Sequence, residues 1–228
     1  MKKFWNSKEQ QKNELKQTQA YLDSGKASIF DNRKLAIQCY EKALEIARER
    51  GYKLQETQAH KGLGDANRLD SHNQAAIKHY EKSLKIAKEQ GYKLHETEAY
   101  IQLGEACRLY NQHHTAILHF KISLKIAKEQ GYKSKEIKAF LRLGDAYRCN
   151  NQNQTAIQHF EKALEIAREQ GDKEPETQAY IGLGQCYSSR NENKAAIEHY
   201  EKASKITMKQ GYDNLEEIQK KKKLSKCA

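Results

Sequence analysis

The sequence has almost nothing that would interrupt a helix, because its 228 residues include one proline. It contains no run of about 18 apolar residues, the length that a membrane-spanning helix requires. Its first residues carry lysine, but the apolar segment of a signal peptide does not follow them. We therefore expect neither a membrane span nor a signal peptide, and we predict a cytoplasmic location.

The cysteines are not arranged for metal binding or for disulfide formation. The five cysteines are odd in number and none forms a Cys-x-x-Cys pair, which disfavours a zinc site and a disulfide framework. No residues are spaced as a nucleophile with its base, and the Leu-Gly-Asp runs fall within helical segments, where they cannot form a phosphate-binding loop. The sequence predicts no enzyme, no cofactor and no metal site.

Positive charge is in excess, with a formal net charge of +11. That balance favours partners of acidic character without identifying one. Four consecutive lysines, Lys220–Lys223, lie close to the last residue. They fit a solvated helix end, a nuclear-localisation signal or a nucleic-acid-binding arm.

Repetition is what the sequence has in abundance. An Ala-Ile pair with an aromatic residue three positions later recurs every forty residues, and a glycine and a Leu-Gly pair keep the same spacing. A fixed period of this kind is typical of repeat proteins. The recurring positions begin at Ala36, Ala76, Ala116, Ala156 and Ala196 for the first pair, at Gly51, Gly91, Gly131, Gly171 and Gly211 for the glycine, and at Leu63, Leu103, Leu143 and Leu183 for the second pair.

Each unit predicts two helices. In the second helix, Ile77, Tyr80 and Leu84 follow one another at spacings of three and four, which is an apolar stripe. Gly91 follows this helix, where the left-handed backbone of a helix end favours glycine. Gly64 lies within the first helix at a cost of about 1 kcal/mol relative to alanine. Because the other units repeat this glycine, we predict that the partner helix approaches closely there.

The turn between the two helices is polar. Asn111, Asn151 and Asn191 share one turn position, and asparagine tolerates left-handed backbone better than most residues. A second set of asparagines stands where the next helix needs a cap. These predicted caps are Asn73, Asn153 and Asn193.

A histidine precedes most of the recurring aromatic residues. Neighbouring helices pack about 10 Å apart, which is too far for two of these histidines to bind one zinc ion at about 2 Å. We interpret them as half-exposed packing residues. They are His79, His119, His159 and His199.

The pattern resembles the tetratricopeptide repeat. The pattern of that family has a large aromatic residue, Leu-Gly and a second aromatic residue in the first helix, and Ala, an aromatic residue and Ala in the second helix. The fifth repeat matches this pattern with Tyr180, Leu183, Gly184, Tyr187, Ala196, Tyr200 and Ala203. The usual period of this family is about 34 residues, and the longer period here is similar to Pins-type spindle adaptors and kinesin light chains. The resemblance implies an all-α, right-handed α-solenoid of antiparallel helix pairs.

The repeats divide the chain. We predict an array over residues 1–212, with five repeats at about 7–50, 51–90, 91–130, 131–170 and 171–212. The first is degenerate, as expected of a terminal repeat. Residues 213–228 are predicted to form a cap helix and a basic tail.

The resemblance implies that the first helices line a concave groove that binds a partner peptide. Three acid–arginine pairs, spaced three residues apart, would then form a row. The positions implied are Lys61, Asp65 and Arg68 in the second repeat, Ile101, Glu105 and Arg108 in the third, Leu141, Asp145 and Arg148 in the fourth, and Ile181 and Gln185 in the fifth.

Two interpretations of this row remain open. The pairs can brace the helices, since an i,i+3 ion pair contributes about 0.2–0.5 kcal/mol. Alternatively, the arginines bind carboxylates of a partner, for which the planar guanidinium is suited. In the second case affinity would come from Ile101, Leu109, Leu141 and Ile181.

The sequence thus predicts a non-enzymatic scaffold that binds a protein or peptide of acidic character. The alternative is an α-solenoid that binds nucleic acid through its net positive charge. Nucleic-acid binding would weaken steeply with salt concentration. A nuclear location through Lys220–Lys223 is the alternative to the cytoplasm.

Overall fold

The computed structural model describes residues 2–210, with side chains for residues 8–208. This part of the chain holds ten α-helices and no strand. The helices are α1 Lys2–Ser28, α2 Arg33–Arg50, α3 Lys53–Leu69, α4 Asn73–Glu89, α5 Lys93–Leu109, α6 His113–Glu129, α7 Lys133–Cys149, α8 Asn153–Gln170, α9 Lys173–Ser189 and α10 Asn193–Gln210. The predicted all-α fold class of paired helices is confirmed.

The described residues form two compact units, one with α1–α5 and one with α6–α10, divided between Tyr110 and Asn111. Within each unit consecutive helices pack against each other. First helices of successive pairs also contact, α1 with α3 and α3 with α5 in the first unit, and α7 with α9 in the second. Side chains of neighbouring first helices therefore lie side by side within a unit.

Close approach of a ring explains the glycine inside the first helices. A Cβ atom on Gly144 of α7 would lie 2.7 Å from Cζ of Phe160 in α8, which is closer than real Cβ contacts. Gly182 of α9 meets the edge of the same ring. Gly25 and Gly184 face Tyr40 and Tyr200 in the same way. The predicted close approach is confirmed, and the approaching group is the recurring aromatic.

The turns follow the sequence prediction in part. Asn111, Asn151 and Asn191 have φ of 58°, 57° and 61°, so the left-handed position is confirmed. The predicted caps are wrong, because Asn73, Asn153 and Asn193 are the first residues of α4, α8 and α10. The N-cap residues of α4 and α8 are His72 and Gln152, whose side chains make no cap hydrogen bond.

α1 differs from the other first helices in length. It begins at Lys2 and has 27 residues, whereas α3, α5, α7 and α9 have 17 each. The predicted helix of residues 213–228 and the lysines at 220–223 lie outside the described residues. None of the helices described is sufficiently long and apolar to cross a membrane.

Candidate binding surface

The first unit holds a cavity of about 530 Å³ that contains three of the predicted site residues. Lys61, Asp65 and Arg68 follow one another at spacings of four and three in α3, which places them on one face of the helix. All three line the cavity. Gln58, Gly62 and Leu69 of α3 line it as well. Its other walls come from α1, the turn after α1, α2 and α5 through Leu22, Lys26, Ile29, Phe30, Tyr40, His95, Glu98 and Gln102.

The acidic groups of this cavity are engaged by neighbouring side chains. The Tyr80 hydroxyl donates a hydrogen bond of 2.8 Å to Asp65 Oδ1. Lys61 Nζ lies 3.2 Å from Glu98 Oε2 on α5. Arg68 also lines the cavity, and its Nε is buried without a hydrogen-bond partner. The cavity thus combines fixed carboxylates with a cation whose hydrogen-bonding capacity is not fully used.

The acid–arginine pairs of α5 and α7 are ion pairs within one helix. Arg108 Nη2 lies 3.0 Å from Glu105 Oε2, and Glu105 is buried. Arg148 Nη2 lies 3.7 Å from Asp145 Oδ1, and Arg142 Nη1 lies 3.4 Å from the other oxygen. These contacts support the bracing interpretation for the two helices.

The apolar positions need correction. Ile101 is 2% exposed and Leu141 is 4% exposed, so neither offers surface to a partner. Ile181 is half-buried and packs against the core of the second unit, and Gln185 is half-buried. Leu109 is exposed at the end of α5. The physical reason is that the first helices pack against one another as well as against the second helices, which covers these positions.

The turn after α1 was missed as part of the surface. Phe30 is 78% exposed, and it lines the cavity beside Ile29 and the exposed Lys26. Aligning Gly25 with Gly64 places Lys26 opposite an acid of the other repeats, and places Ile29 opposite an arginine. From the sequence alone this departure is interpreted as degeneracy of a terminal repeat, and it was the available signal that the first repeat places different side chains on this surface.

A second polar feature that sequence reasoning missed is a set of buried glutamates at the start of the first helices. Each forms an ion pair with the lysine three residues earlier. The motif Gly-x-Lys-x-x-Glu, which recurs every forty residues, was the available signal in the sequence. The pairs are Lys53–Glu56 at 2.8 Å, Lys93–Glu96 at 2.8 Å, Lys133–Glu136 at 3.0 Å and Lys173–Glu176 at 2.7 Å.

Glu176 Oε1 also accepts a hydrogen bond of 3.2 Å from Arg168 Nε of α8. Burial alone would raise the pKa of this carboxyl, but the hydrogen bonds from Lys173 and Arg168 hold its pKa below the ordinary 4.5. The group therefore ties the start of α9 to the end of α8, and it does so as a carboxylate. Its contribution to stability is present above pH 4.5 and is lost as the pH falls through the lowered pKa.

We expect Glu176→Gln to lower the free energy of unfolding by about 1–2 kcal/mol at pH 7, because two cations lose their charged acceptor. The loss should shrink below pH 4.5, where the wild-type carboxyl becomes protonated. Urea denaturation at several pH values measures both effects. Glu165→Gln is the matched control, since its ion pair with Lys162 is exposed, and it should change stability by less than about 0.5 kcal/mol. Equal effects of the two substitutions would contradict the assignment.

Cations of the second helices cover aromatic rings of the following first helix. Lys88 Nζ lies 5.0 Å from the ring centre of Tyr100, and Lys128 Nζ lies 5.0 Å from that of Phe140. Histidines of the second helices also pack on aromatic rings. His159 stacks on Tyr147 with ring centres 5.2 Å apart. His199 stacks on Tyr187 in the same way. The predicted packing role is confirmed for these two histidines.

Metal binding finds no support in the side chains that the structure describes. Among residues 8–208, no group of three or more histidine, cysteine, aspartate or glutamate side chains is arranged to hold a metal ion.

Comparison with known proteins gives one family match. The model of the tetratricopeptide repeat matches residues 30–89 and 136–209, which together are more than half of the chain. A search of curated protein sequences gave no significant match.

Several solved structures share the fold. Aspartyl phosphate phosphatase F from Bacillus subtilis superposes with a TM-score of 0.83 at 17% identity, over 96% of this chain and 58% of that protein. A Rap protein complexed with competence and sporulation factor gives 0.76 at 16% identity, over 86% of this chain and 55% of that protein. The chain thus spans little more than half the length of these two proteins.

A protein from Podosopora anserina assigned as a kinesin light chain, with nearly identical repeats, gives a TM-score of 0.70 at 16% identity. That superposition covers 85% of this chain and 95% of the other. At these identities the likeness concerns the fold alone.

Proposed function

Since the chain belongs to the tetratricopeptide repeat family, we propose that it is a non-enzymatic scaffold that binds a segment of a partner protein. The cavity of the first unit is the proposed site. The observation that carries the proposal is that Lys61, Asp65 and Arg68 share this cavity with the exposed Phe30. The Rap protein similar in fold is complexed with competence and sporulation factor, which supports a binding role for such helix arrays.

The chemistry of the cavity indicates the kind of segment that it binds. Phe30, Ile29 and Leu69 offer apolar area, and exposed large apolar groups beside polar ones are typical of binding surfaces. Lys26 and Arg68 add positive charge, while the carboxylate of Asp65 already accepts a hydrogen bond from Tyr80. A segment with an apolar side chain next to a carboxylate complements this arrangement.

The mechanism is binding to a surface that folding has already formed. Lys61, Asp65 and Arg68 project from one helix whose backbone is held between α2 and α4. Ordering these side chains beforehand lowers the entropic cost of association. Apolar contacts at Phe30 then supply affinity, and the charged groups set the position of the segment.

The test is affinity capture with the full chain as bait, comparing wild type with Lys26→Glu plus Arg68→Glu. We expect the double reversal to reduce recovery of specific partners at least tenfold, about 1.4 kcal/mol, because attraction to a carboxylate becomes repulsion. Quantitative mass spectrometry of the bound proteins measures the ratio. Circular dichroism checks that the variant remains helical, and Lys26→Glu alone serves as a variant at an exposed position.

Lys85→Glu is the matched control, because Lys85 is exposed on α4 away from the cavity. It changes the net charge in the same direction and should leave partner recovery unchanged. If all specific partners survive both cavity substitutions, the proposed site is wrong. Recovery that falls steeply with salt and is lost to competing RNA would favour the nucleic-acid alternative.

A further inference from the structure

The second repeat departs from the others in its aromatic layer. Where the later repeats have Tyr100, Phe140 and Tyr180, the second repeat has His60. At the position of Tyr147 and Tyr187 in the fourth and fifth repeats, the second has Asn67 and the third has Cys107. His79 therefore lacks the ring on which His159 and His199 stack. It contacts His60 instead, with ring centres 5.3 Å apart.

The hydrogen bonds of these residues determine where the protons lie. Arg48 Nη2 lies 3.1 Å from His60 Nε2, and a guanidinium can only donate. His60 Nε2 therefore accepts, so the neutral ring carries its proton on Nδ1. This Nδ1 lies 3.1 Å from Nδ1 of His79, to which it donates. The three side chains form a chain of hydrogen bonds from α2 through α3 to α4.

An added proton breaks this chain at either ring. Protonation of His60 would place an N–H against the N–H of Arg48, and protonation of His79 would place its Nδ1–H against that of His60. His60 is 1% exposed, so water cannot replace the lost acceptor. Two facing donors in a buried site are costly because neither can be satisfied.

The charges around the rings are mostly positive. Arg48 faces His60 from α2, and Lys82 faces both rings from α4. Glu56 of α3 is the nearby acid, and it is held by Arg48 at 3.3 Å and Lys53 at 2.8 Å. Burial, His79 and Arg48 together lower the pKa of His60 from 6.5 to about 4. Burial, with Lys82 and Arg48, lowers the pKa of His79 as well.

We propose that Arg48, His60 and His79 form an acid-sensitive link that controls the packing of α3 against α2 and α4. α3 carries Lys61, Asp65 and Arg68, so the link would regulate the cavity of the first unit. That consequence rests on the proposed function of the cavity, whereas the link itself does not. Protonation weakens the packing of α3 against α2 and α4. Lys61, Asp65 and Arg68 of α3 then no longer hold their positions in the wall of the cavity.

The direction with pH follows from proton linkage. A histidine whose pKa is lower in the folded state binds fewer protons there than in the opened state. The folded packing therefore keeps its full stability above pH 6.5 and loses stability as the pH falls from 6.5 toward 4. For His60 alone, the equilibrium constant for opening should rise roughly tenfold between pH 7.5 and pH 5.5.

The experiment is hydrogen exchange of the full chain without any partner, at pH 7.5 and pH 5.5. Wild type is compared with His60→Tyr plus Asn67→Tyr, which rebuilds the layer of Tyr180, Tyr187 and His199. The chain provides the precedent, because Arg168 hydrogen-bonds the Tyr180 hydroxyl there. After correction for intrinsic rates, opening of α3 should increase about tenfold or more in wild type. It should increase by a smaller factor in the variant, where only His79 remains to be protonated and the pKa of the equivalent His199 is also lowered by burial.

Equal acceleration in both proteins would overturn the proposal, because acid would then act through other groups. Nitrogen NMR of wild-type imidazoles gives a second test that needs no substitution. It should show His60 protonated on Nδ1 at pH 7.5 and titrating well below the same residue in urea-unfolded protein. A proton on Nε2 would contradict the assigned chain. Neither measurement involves a ligand, so failure here is distinct from failure of the binding function.

Discussion

Replacing Phe160 with alanine is expected to lower the free energy of unfolding of the second unit by about 3–5 kcal/mol. Phe160 is 1% exposed and belongs to the core cluster of that unit. Its ring lies against the backbone of α7 at Gly144 and of α9 at Gly182. Because these glycines have no side chains to fill the space, truncation leaves a cavity between three helices.

Urea denaturation followed by circular dichroism measures this change, and hydrogen exchange locates it in α7–α9. Phe30→Ala is the matched control, since the same atoms are removed from a ring that is 78% exposed. It should change stability by less than about 0.5 kcal/mol. Similar losses for both substitutions would show that the Phe160 ring is not the centre of this core.

Gly182→Val is expected to destabilise the second unit by about 1–3 kcal/mol through overpacking. The new side chain must occupy space that the edge of the Phe160 ring already fills. The ring cannot move freely, because Gly144 of α7 meets the same edge. The gain from removing a mid-helix glycine is below about 1 kcal/mol, so the loss should dominate.

A double-mutant cycle tests that explanation. Phe160→Leu in the Gly182→Val background should recover part of the loss, because residues in contact are coupled and a smaller residue relieves the overlap. Arg142→Val is the positional control, since Arg142 in α7 corresponds to Gly182 in α9. A side chain is already accommodated there, and a small effect is expected. Strictly additive effects in the cycle would contradict direct contact between Gly182 and Phe160.

Part of the candidate site was predictable from spacing. Lys61, Asp65 and Arg68 share a face of α3 and line one cavity, because spacings of three and four determine the face of any helix. The resemblance implied that this face binds a partner, and that role stays a proposal. Spacing could not show that Ile101 and Leu141 are covered, since their burial depends on how closely neighbouring helices pack.

The sequence by itself determined the helix pairs, the left-handed turn position and the close approach of the partner helix at the glycine. These features depend on local periodicity and on the backbone freedom of Gly and Asn, and both repeat every forty residues. The family followed from the same pattern.

Only the tertiary structure decided which groups meet where one repeat departs from the others. The contact of His60 with Arg48 and His79 joins three helices, and the exposure of Phe30 depends on a turn that departs from the repeat. Such contacts depend on the reach and orientation of individual side chains across helices. A forty-residue pattern does not encode them, because they arise where one repeat differs from the others.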